Sequence, residues 1–174
     1  PYEGGIRTAW IVSAPGITKP GSTSDVPVIT TDFYPTFLEL AGLPAMPQQH
    51  LDGVTLVPVL KGGELSPRPL FWHYPHYGNQ GGRPHGVIRE GNWKLIEWFE
   101  DGSLELYDVP NDLSEKTNLA IQDPDRVKAM HAKLVAWRKE VGALMPTVNP
   151  DYKPGTETKA SASKRKGKGE AKGR

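Results

Sequence analysis

Between Leu70 and Tyr107, short apolar segments alternate with turn chemistry tight enough to leave few folds open to the chain. Leu70–Tyr74 reads as a strand, followed by a Gly-rich loop from Gly78 to Gly86. Val87–Arg89 and Trp93–Phe99 flank Glu90-Gly91-Asn92, a hairpin turn, and Asp101-Gly102 leads through a second one into Leu104–Tyr107. Strands joined this closely pair with their chain neighbours, so the pattern predicts an antiparallel meander. A meander of this size needs a cover, because it does not stand alone in water. Asp123-Pro124 supplies the start of one, with an acid at the N-cap and Pro at the first helical position. Val127, Met130, Leu134, Trp137 and Val141 then recur at spacings of three and four, one apolar stripe that Gly142 ends.

The first third of the chain reads differently. Ile6–Ser13 has a strand-like core, Ala9 to Val12, stopped by Ala14-Pro15-Gly16; such a continuous apolar run suits a strand buried on both faces of an α/β sheet. Thr31 or Asp32 is placed to cap a helix with Phe33, Phe37, Leu38 and Leu40 on its buried side, closed by Gly42. From Pro44 to Pro69 the chain is mostly connection. With 19 Gly and 17 Pro in 174 residues, long regular elements are not expected, while five Trp and six Tyr argue against wholesale disorder. There are no cysteines, which excludes disulfides, thiolate metal sites and cysteine nucleophiles. Asp151 to Arg174 carries eight Lys or Arg against three Asp or Glu, so the preceding residues are net acidic. That distribution argues against a nucleic-acid-binding domain, which would concentrate positive charge on a folded face. No apolar run reaches the roughly 20 residues of a membrane span, and the opening Pro1-Tyr2-Glu3-Gly4-Gly5 reads as the middle of a protein, with no signal peptide.

Six blocks resemble, in order and spacing, the C-terminal portion of the type I sulfatases. Tyr2-Glu3-Gly4-Gly5-Ile6-Arg7 runs into Trp10-Ile11-Val12 and Ala14-Pro15-Gly16, similar to an E-G-G-[IV]-R motif that feeds a core strand. Asp32-Phe33-Tyr34-Pro35-Thr36 with Leu38-Glu39-Leu40-Ala41-Gly42 is similar to D-x-x-P-T-x-L-E-L-A-G. Asp52-Gly53-Val54, with Leu56, Pro58, Leu60 and Gly62, resembles D-G-x-S-L-x-P-x-L-x-G. Arg89 through Ile96 resembles R-x-G-[DN]-W-K-L-I, and Glu105-Leu106-Tyr107-Asp108 resembles E-L-Y-[ND]. Asn111-Asp112, Glu115 and Asn118-Leu119-Ala120 are similar to N-D-P-x-E-x-x-N-L-A, with Leu113 in place of Pro.

The resemblance implies an α/β fold: a C-terminal fragment of an alkaline-phosphatase-like core plus a small antiparallel-sheet subdomain covered by a C-terminal helix. Residues 1–68 would end the core, 69–152 form the subdomain, and 153–174 a disordered basic tail. It implies a parent enzyme, periplasmic or secreted, that hydrolyses the sulfate ester of a carbohydrate or aryl compound with calcium and a formylglycine nucleophile. Neither element is encoded here. The C/S-x-P-x-R motif is absent, since Ser13-Ala14-Pro15 is followed by Ile17 where Arg is required, and no Asp-Asn pair occurs. The family's last sulfate-binding Lys would precede Pro1. The implied partners are a sulfated small molecule or glycan and the upstream part of the same sulfatase. Two other readings stand beside this one: a phosphonate monoester hydrolase or phosphodiesterase of the same superfamily, and a noncatalytic module that binds sulfated glycans.

His73-Tyr74-Pro75-His76-Tyr77 beside the Gly-rich loop is the constellation that can touch a substrate. His76, Tyr77, His73 and Arg83 are the candidate substrate-binding residues, by stacking and hydrogen bonding. A zinc set from His73, His76 and His85 lacks a fourth ligand. Glu100, Asp101 and Glu105 are expected to be solvated around a hairpin, Glu3 to fix a loop through backbone N–H groups, and Arg7 to pair with a core carboxylate in preference to the alternative that it reaches the active site. The basic run Lys164-Arg165-Lys166-Gly167-Lys168 is compatible with polyanions.

Overall fold

The computed structural model describes residues 1–78 and 81–151. Residues Pro1–Leu144 form one compact unit; the other begins at Met145, and its described residues, 145–151, contain no helix or strand. The expected basic tail lies outside the described residues.

Four strands, β1 (Leu70–Tyr74), β2 (His85–Glu90), β3 (Trp93–Trp98) and β4 (Leu104–Asp108), pair antiparallel in chain order. The turn after β2 is possible because Gly91 accepts a left-handed backbone, φ 56°, and Gly102 does the same before β4 at φ 68°. Register fixes which side chains share a face. Trp72 pairs with Val87 and Tyr74 with His85; His85 pairs with Trp98, Val87 with Ile96 and Arg89 with Lys94; Lys94 pairs with Tyr107 and Ile96 with Glu105. Those residues line one face, and their chain neighbours line the other.

The second face is the one the sequence prepared a cover for. Helix α4 (Pro124–Glu140) lies on it, with the Asp123 carboxylate accepting the Arg126 N–H at 3.1 Å. Met130 and Leu134 are buried against Ile88, Leu95 and Leu106, and Trp137 stacks on Phe71 at 4.8 Å. Gly142, φ 62°, ends the helix. Val141 departs from the expected stripe: it is 45% exposed, because the helix has already reached its C-cap there.

The first face also needs a cover, and the cover is the N-terminal motif. Glu3–Ile6 forms a short helix, α1, and Tyr2 and Glu3 pack on the sheet. This corrects the expectation of a strand from Ile6 to Ser13. No strand of the described residues pairs with that segment, and Ile11 is 91% exposed. A strand exists only through its lateral hydrogen bonds, so an apolar run without a neighbour stays irregular.

Residues 30–60 are organised around one buried carboxylate. After a single 3-10 turn (Thr30–Asp32) come α2 (Phe33–Leu40) and α3 (Val57–Leu60). Asp32, fully buried, does not cap α2. It accepts N–H bonds from Ile29 at 2.9 Å and Val54 at 3.1 Å and pairs with Arg68 at 2.5 Å. Thr36 hydroxyl donates to the Asp32 carbonyl and accepts from Leu56 N–H at 2.8 Å. The D-x-x-P-T block therefore stitches the D-G-V block to the helix. Phe37, expected inside, is 58% exposed; the helix buries Pro35 and Thr36 instead.

Candidate functional site

Three separated sequence blocks meet at one point beneath α1. Lys94, completely buried, lies with Nζ 3.0 Å from Glu3 Oε1 and 2.8 Å from Glu115 Oε1. Arg89 adds a weaker contact to Glu3, and the Glu3 N–H donates to Glu115 Oε2 at 2.5 Å. Glu115 reaches inward because its backbone is left-handed, φ 51°, which is rare for a non-glycine residue and costs on the order of 1–3 kcal/mol. Asp112 holds that turn through the N–H groups of Lys116 and Thr117. Glu3 thus serves an ion-pair network through its carboxylate, where a loop-fixing role through backbone N–H groups was expected. Arg7 is exposed and pairs with no carboxylate among the described residues, so its expected structural pairing is also corrected.

Beside this network Glu105 is anything but solvated. Its Oε2 accepts from Tyr2 at 2.8 Å and Tyr107 at 2.9 Å, and its Oε1 accepts from Trp98 Nε1 at 2.9 Å. Burial, then the hydrogen bond to the Glu105 carboxylate, pushes the Tyr2 hydroxyl up to about 12, and the same causes raise Tyr107 further. Glu100 holds Tyr77 and Arg83, while Asp101 accepts from Ser103.

The candidate substrate residues lie at the end of the sheet where β1 finishes and β2 begins, but they do not all face one way. Arg83 lies over the Trp98 ring at 4.2 Å, Trp98 meets His85 edge-on at 5.6 Å, His85 meets Tyr74 at 5.4 Å, and Tyr74 meets His76 edge-on at 5.5 Å. This chain of rings joins Arg83 and His76. Tyr77 is 71% exposed and donates to Glu100 Oε1 at 2.9 Å. Arg83 also reaches Glu100, at 3.3 Å, and Asp101, at 3.9 Å, so two carboxylates offset its charge. His73 is the exception. It pairs in register with Gly86 on the α4 face, where it lies 5.3 Å from Phe99 and its Nε2 donates to the Leu144 carbonyl at 2.8 Å. Of the intervening loop, Asn79 and Gln80 lie outside the described residues; Gly78 N–H donates to the Gly82 carbonyl at 2.8 Å.

Sequence reasoning placed Tyr74 in the aromatic constellation without naming it a candidate, considered His85 only for a zinc set, and gave no role to Trp98. Tyr74 and His85 border a cleft of about 280 Å³ with Pro1, Ile6, Trp72, His73 and Val87, and Trp98 meets His85 edge-on. Alternation within β1, β2 and β3 was readable, but the register across the Gly-rich loop was not, and only register sets Tyr74 opposite His85. No three His, Asp or Glu side chains among the described residues are placed to hold a metal ion. The described residues therefore do not fit calcium.

The described residues thus form an antiparallel meander with α4 on one face and, on the other, the Glu3 turn held by the buried Lys94. The family model described as N-sulphoglucosamine sulphohydrolase, C-terminal, matches residues 1–140, and the chain belongs to that family. A sulfatase of Formosa agariphila is 38% identical over 152 residues, 78% of this chain and 28% of that protein. An N-acetylglucosamine-6-O-sulfatase of Bacteroides thetaiotaomicron is 31% identical over 158 residues, 87% of this chain and 26% of that protein. A solved structure of a protein in complex with its substrate D-glucosamine-2-N,6-O-disulfate matches with a TM-score of 0.62 and 29% identity, covering 74% of this chain and 27% of that one. The chain thus spans about a quarter of the length of these relatives. Its fold class is that of the C-terminal part of an alkaline-phosphatase-like α/β enzyme, with the small antiparallel subdomain under its helix. Among the described residues no helix is long and apolar enough to cross a membrane.

Proposed function

We propose that this chain works as the C-terminal part of a sulfuric ester hydrolase that cleaves the sulfate ester of a carbohydrate or aryl compound. The observation that carries the reading is the Glu3–Lys94–Glu115 convergence. It gives the E-G-G, W-K-L-I and N-D-x-x-E blocks a common physical reason inside a sulfatase family match. Relatives named for sulfated sugars support the carbohydrate arm. In this reading residues 1–68 continue the α/β core, 69–152 form the subdomain, and calcium and the formylglycine nucleophile come from sequence beyond these 174 residues. Sulfate ester cleavage needs such a nucleophile and a hard cation to neutralise developing charge; the residues of this chain supply contacts to the rest of the substrate.

His76, at one end of the ring chain, and Tyr77, held on Glu100 together with Arg83, are assigned to the leaving-group side. The test uses the enzyme with its complete sulfatase sequence. His76→Ala and Tyr77→Ala should lower kcat/KM on the natural substrate by roughly 5- to 150-fold, the worth of a lost contact of about 1–3 kcal/mol. A small aryl sulfate, which makes few contacts beyond the sulfate itself, should lose much less. Equal losses on both substrates with a lowered Tm would instead make the two residues structural.

A further inference from the structure

The two edges of the sheet are finished in different ways. Along β4 the Asn118–Leu119 segment meets the outward groups. Leu106 N–H donates to Asn118 Oδ1 at 3.0 Å, Leu119 N–H donates to the Leu106 carbonyl at 2.8 Å, and Asn118 Nδ2 donates to the Leu104 carbonyl at 3.4 Å. β1 is the other edge, with β2 as its one neighbour in the sheet. Which of its groups face outward follows from the ladder. Phe99 N–H donates to the Pro84 carbonyl at 3.0 Å, one step beyond the His85–Trp98 pair. Bonded and non-bonded pairs alternate in an antiparallel ladder, so Gly86, Ile88 and Glu90 bond to β3. His85, Val87 and Arg89 then turn their N–H and C=O groups to β1, where their partners are Tyr74, Trp72 and Leu70. The outer edge is left with the main-chain groups of Phe71 and His73, which have no hydrogen-bond partner among the described residues.

Leu70-Phe71-Trp72-His73-Tyr74 holds no Lys, Arg, Asp or Glu and pairs with β2 without a bulge. An aromatic strand of that kind with a free edge is a template for another strand. Carrying the alternation one residue past either end puts Pro69 and Pro75 at the next outward positions. Neither proline costs the sheet a bond, because the N–H it lacks would face away from β2. We propose that Pro69 and Pro75 are a pair of stops that keep β1 from pairing with β1 of a second copy of the chain. Antiparallel self-pairing can centre on Phe71, Trp72 or His73. Centred on Trp72, each Pro69 faces a Pro75, so both pairs lack an N–H and set a ring Cδ against a carbonyl oxygen. Centred on Phe71, the Pro69 ring meets the His73 carbonyl; centred on His73, the Pro75 ring meets the Phe71 carbonyl. Each register therefore loses ladder bonds and gains a ring-to-carbonyl clash.

The proposal is independent of the sulfatase reading. The 174-residue chain and its Pro69→Thr, Pro75→Thr double variant are compared by sedimentation velocity and by residue-resolved amide hydrogen exchange at rising concentration. In the unmutated chain the amides of Trp72 and Tyr74 should be protected, while those of Phe71 and His73 exchange fast at every concentration. In the double variant, sedimentation should move toward a dimer or larger species as concentration rises, and Phe71 and His73 should gain protection in step. Each N–H restored strengthens the pairing by roughly 2- to 12-fold, the worth of one neutral hydrogen bond, before relief of the clash is counted. A folded double variant that stays monomeric overturns the proposal. So does association that leaves the Phe71 and His73 amides unprotected, since another surface then carries it. Should the double variant lose its protected sheet amides, the single variants Pro69→Thr and Pro75→Thr take its place, with the same gain expected in smaller measure and its absence from both decisive against. Concentration-dependent protection of Phe71 and His73 in the unmutated chain also overturns the proposal, because the prolines are then not stopping the pairing.

Discussion

Replacing Lys94 by Met tests whether the buried charge network holds the N-terminal motif on the sheet. The substitution keeps the length of the side chain and removes only the ammonium. Each Lys–Glu pair, at about 3 Å, is worth roughly 5 kcal/mol of Coulomb attraction at an effective dielectric of about 20, before desolvation and the repulsion between the two carboxylates are counted. Breaking one partner out of a buried ion pair costs about 3–5 kcal/mol in measured cases, because the remaining charge is left without compensation. Here two carboxylates would be left, Glu3 and Glu115, both nearly fully buried. With a urea m-value of about 2 kcal/mol/M, the unfolding midpoint should fall by about 2 M. The charge argument makes a second demand. Neutralising all three residues together, Glu3→Gln, Lys94→Met and Glu115→Gln, should recover much of the loss, since a buried triad replaced by neutral groups of similar volume is often tolerated. Trp fluorescence during urea titration reads both. If Lys94→Met shifts the midpoint by less than about 0.5 M, or if the triple variant is no better than the single one, the network is not what holds α1 in place.

Three other outcomes follow from the same contacts. Gly53→Ala should lower the unfolding midpoint markedly, because a Cβ there would sit 2.1 Å from the Thr31 carbonyl oxygen; an unchanged midpoint would contradict the close approach of these two segments. Tyr2 and Tyr107 have folded-state pKa values raised above the unfolded value near 10, so the stability they contribute is complete below pH 10 and is lost as pH rises toward 12. Urea midpoints at pH 8 and pH 11.5 measure the loss, and the double change Tyr2→Phe with Tyr107→Phe should flatten it. Finally, the purified 174-residue chain should give no turnover of a chromogenic aryl sulfate in the presence of calcium, since C/S-x-P-x-R and Asp-Asn are absent from its sequence; activity that survives repurification would refute that.

How much of this was legible depended on whether the information was local. The meander was readable because Gly91 and Gly102 stand where turn geometry demands them, and strands across such turns have no other partner within reach. Helix α4 was readable for the same reason, from Asp123, Pro124 and the spacing of its stripe. The site was less so. Arg83, His76 and Tyr77 were singled out and lie at one end of the sheet, whereas His73 was grouped with them although it faces α4. One residue of offset along a strand reverses the face, and the register that decides it is set across a long loop that carries no turn signature. The buried triad was out of reach of local reasoning altogether: Glu3 and Lys94 are 91 residues apart, and nothing in either block alone says that the other will neutralise it.

The failed strand makes the complementary point. Ala9 to Val12 has the composition of a strand buried on both faces, and Phe37 sits on a helix whose pattern asks for burial, yet Ile11 and Phe37 are largely in water. Composition reports what environment a segment is suited to, while the ladder and the burial require neighbours to provide it. The residues that did find their expected environment, Ile88, Leu95, Leu106, Met130 and Leu134, have all their partners within this chain. The sulfatase relatives are about three times as long as these 174 residues. The two discrepancies therefore fall on one stretch of the surface for one reason: Trp10 stacks on Phe33 at 5.0 Å, and Phe33 contacts Phe37, so the irregular segment and α2 already form a single apolar patch. An exposed apolar patch of this kind marks a surface that partners bury. On the sulfatase reading, the larger part of the enzyme is what would pair the Ala9–Val12 segment and cover Phe37 together.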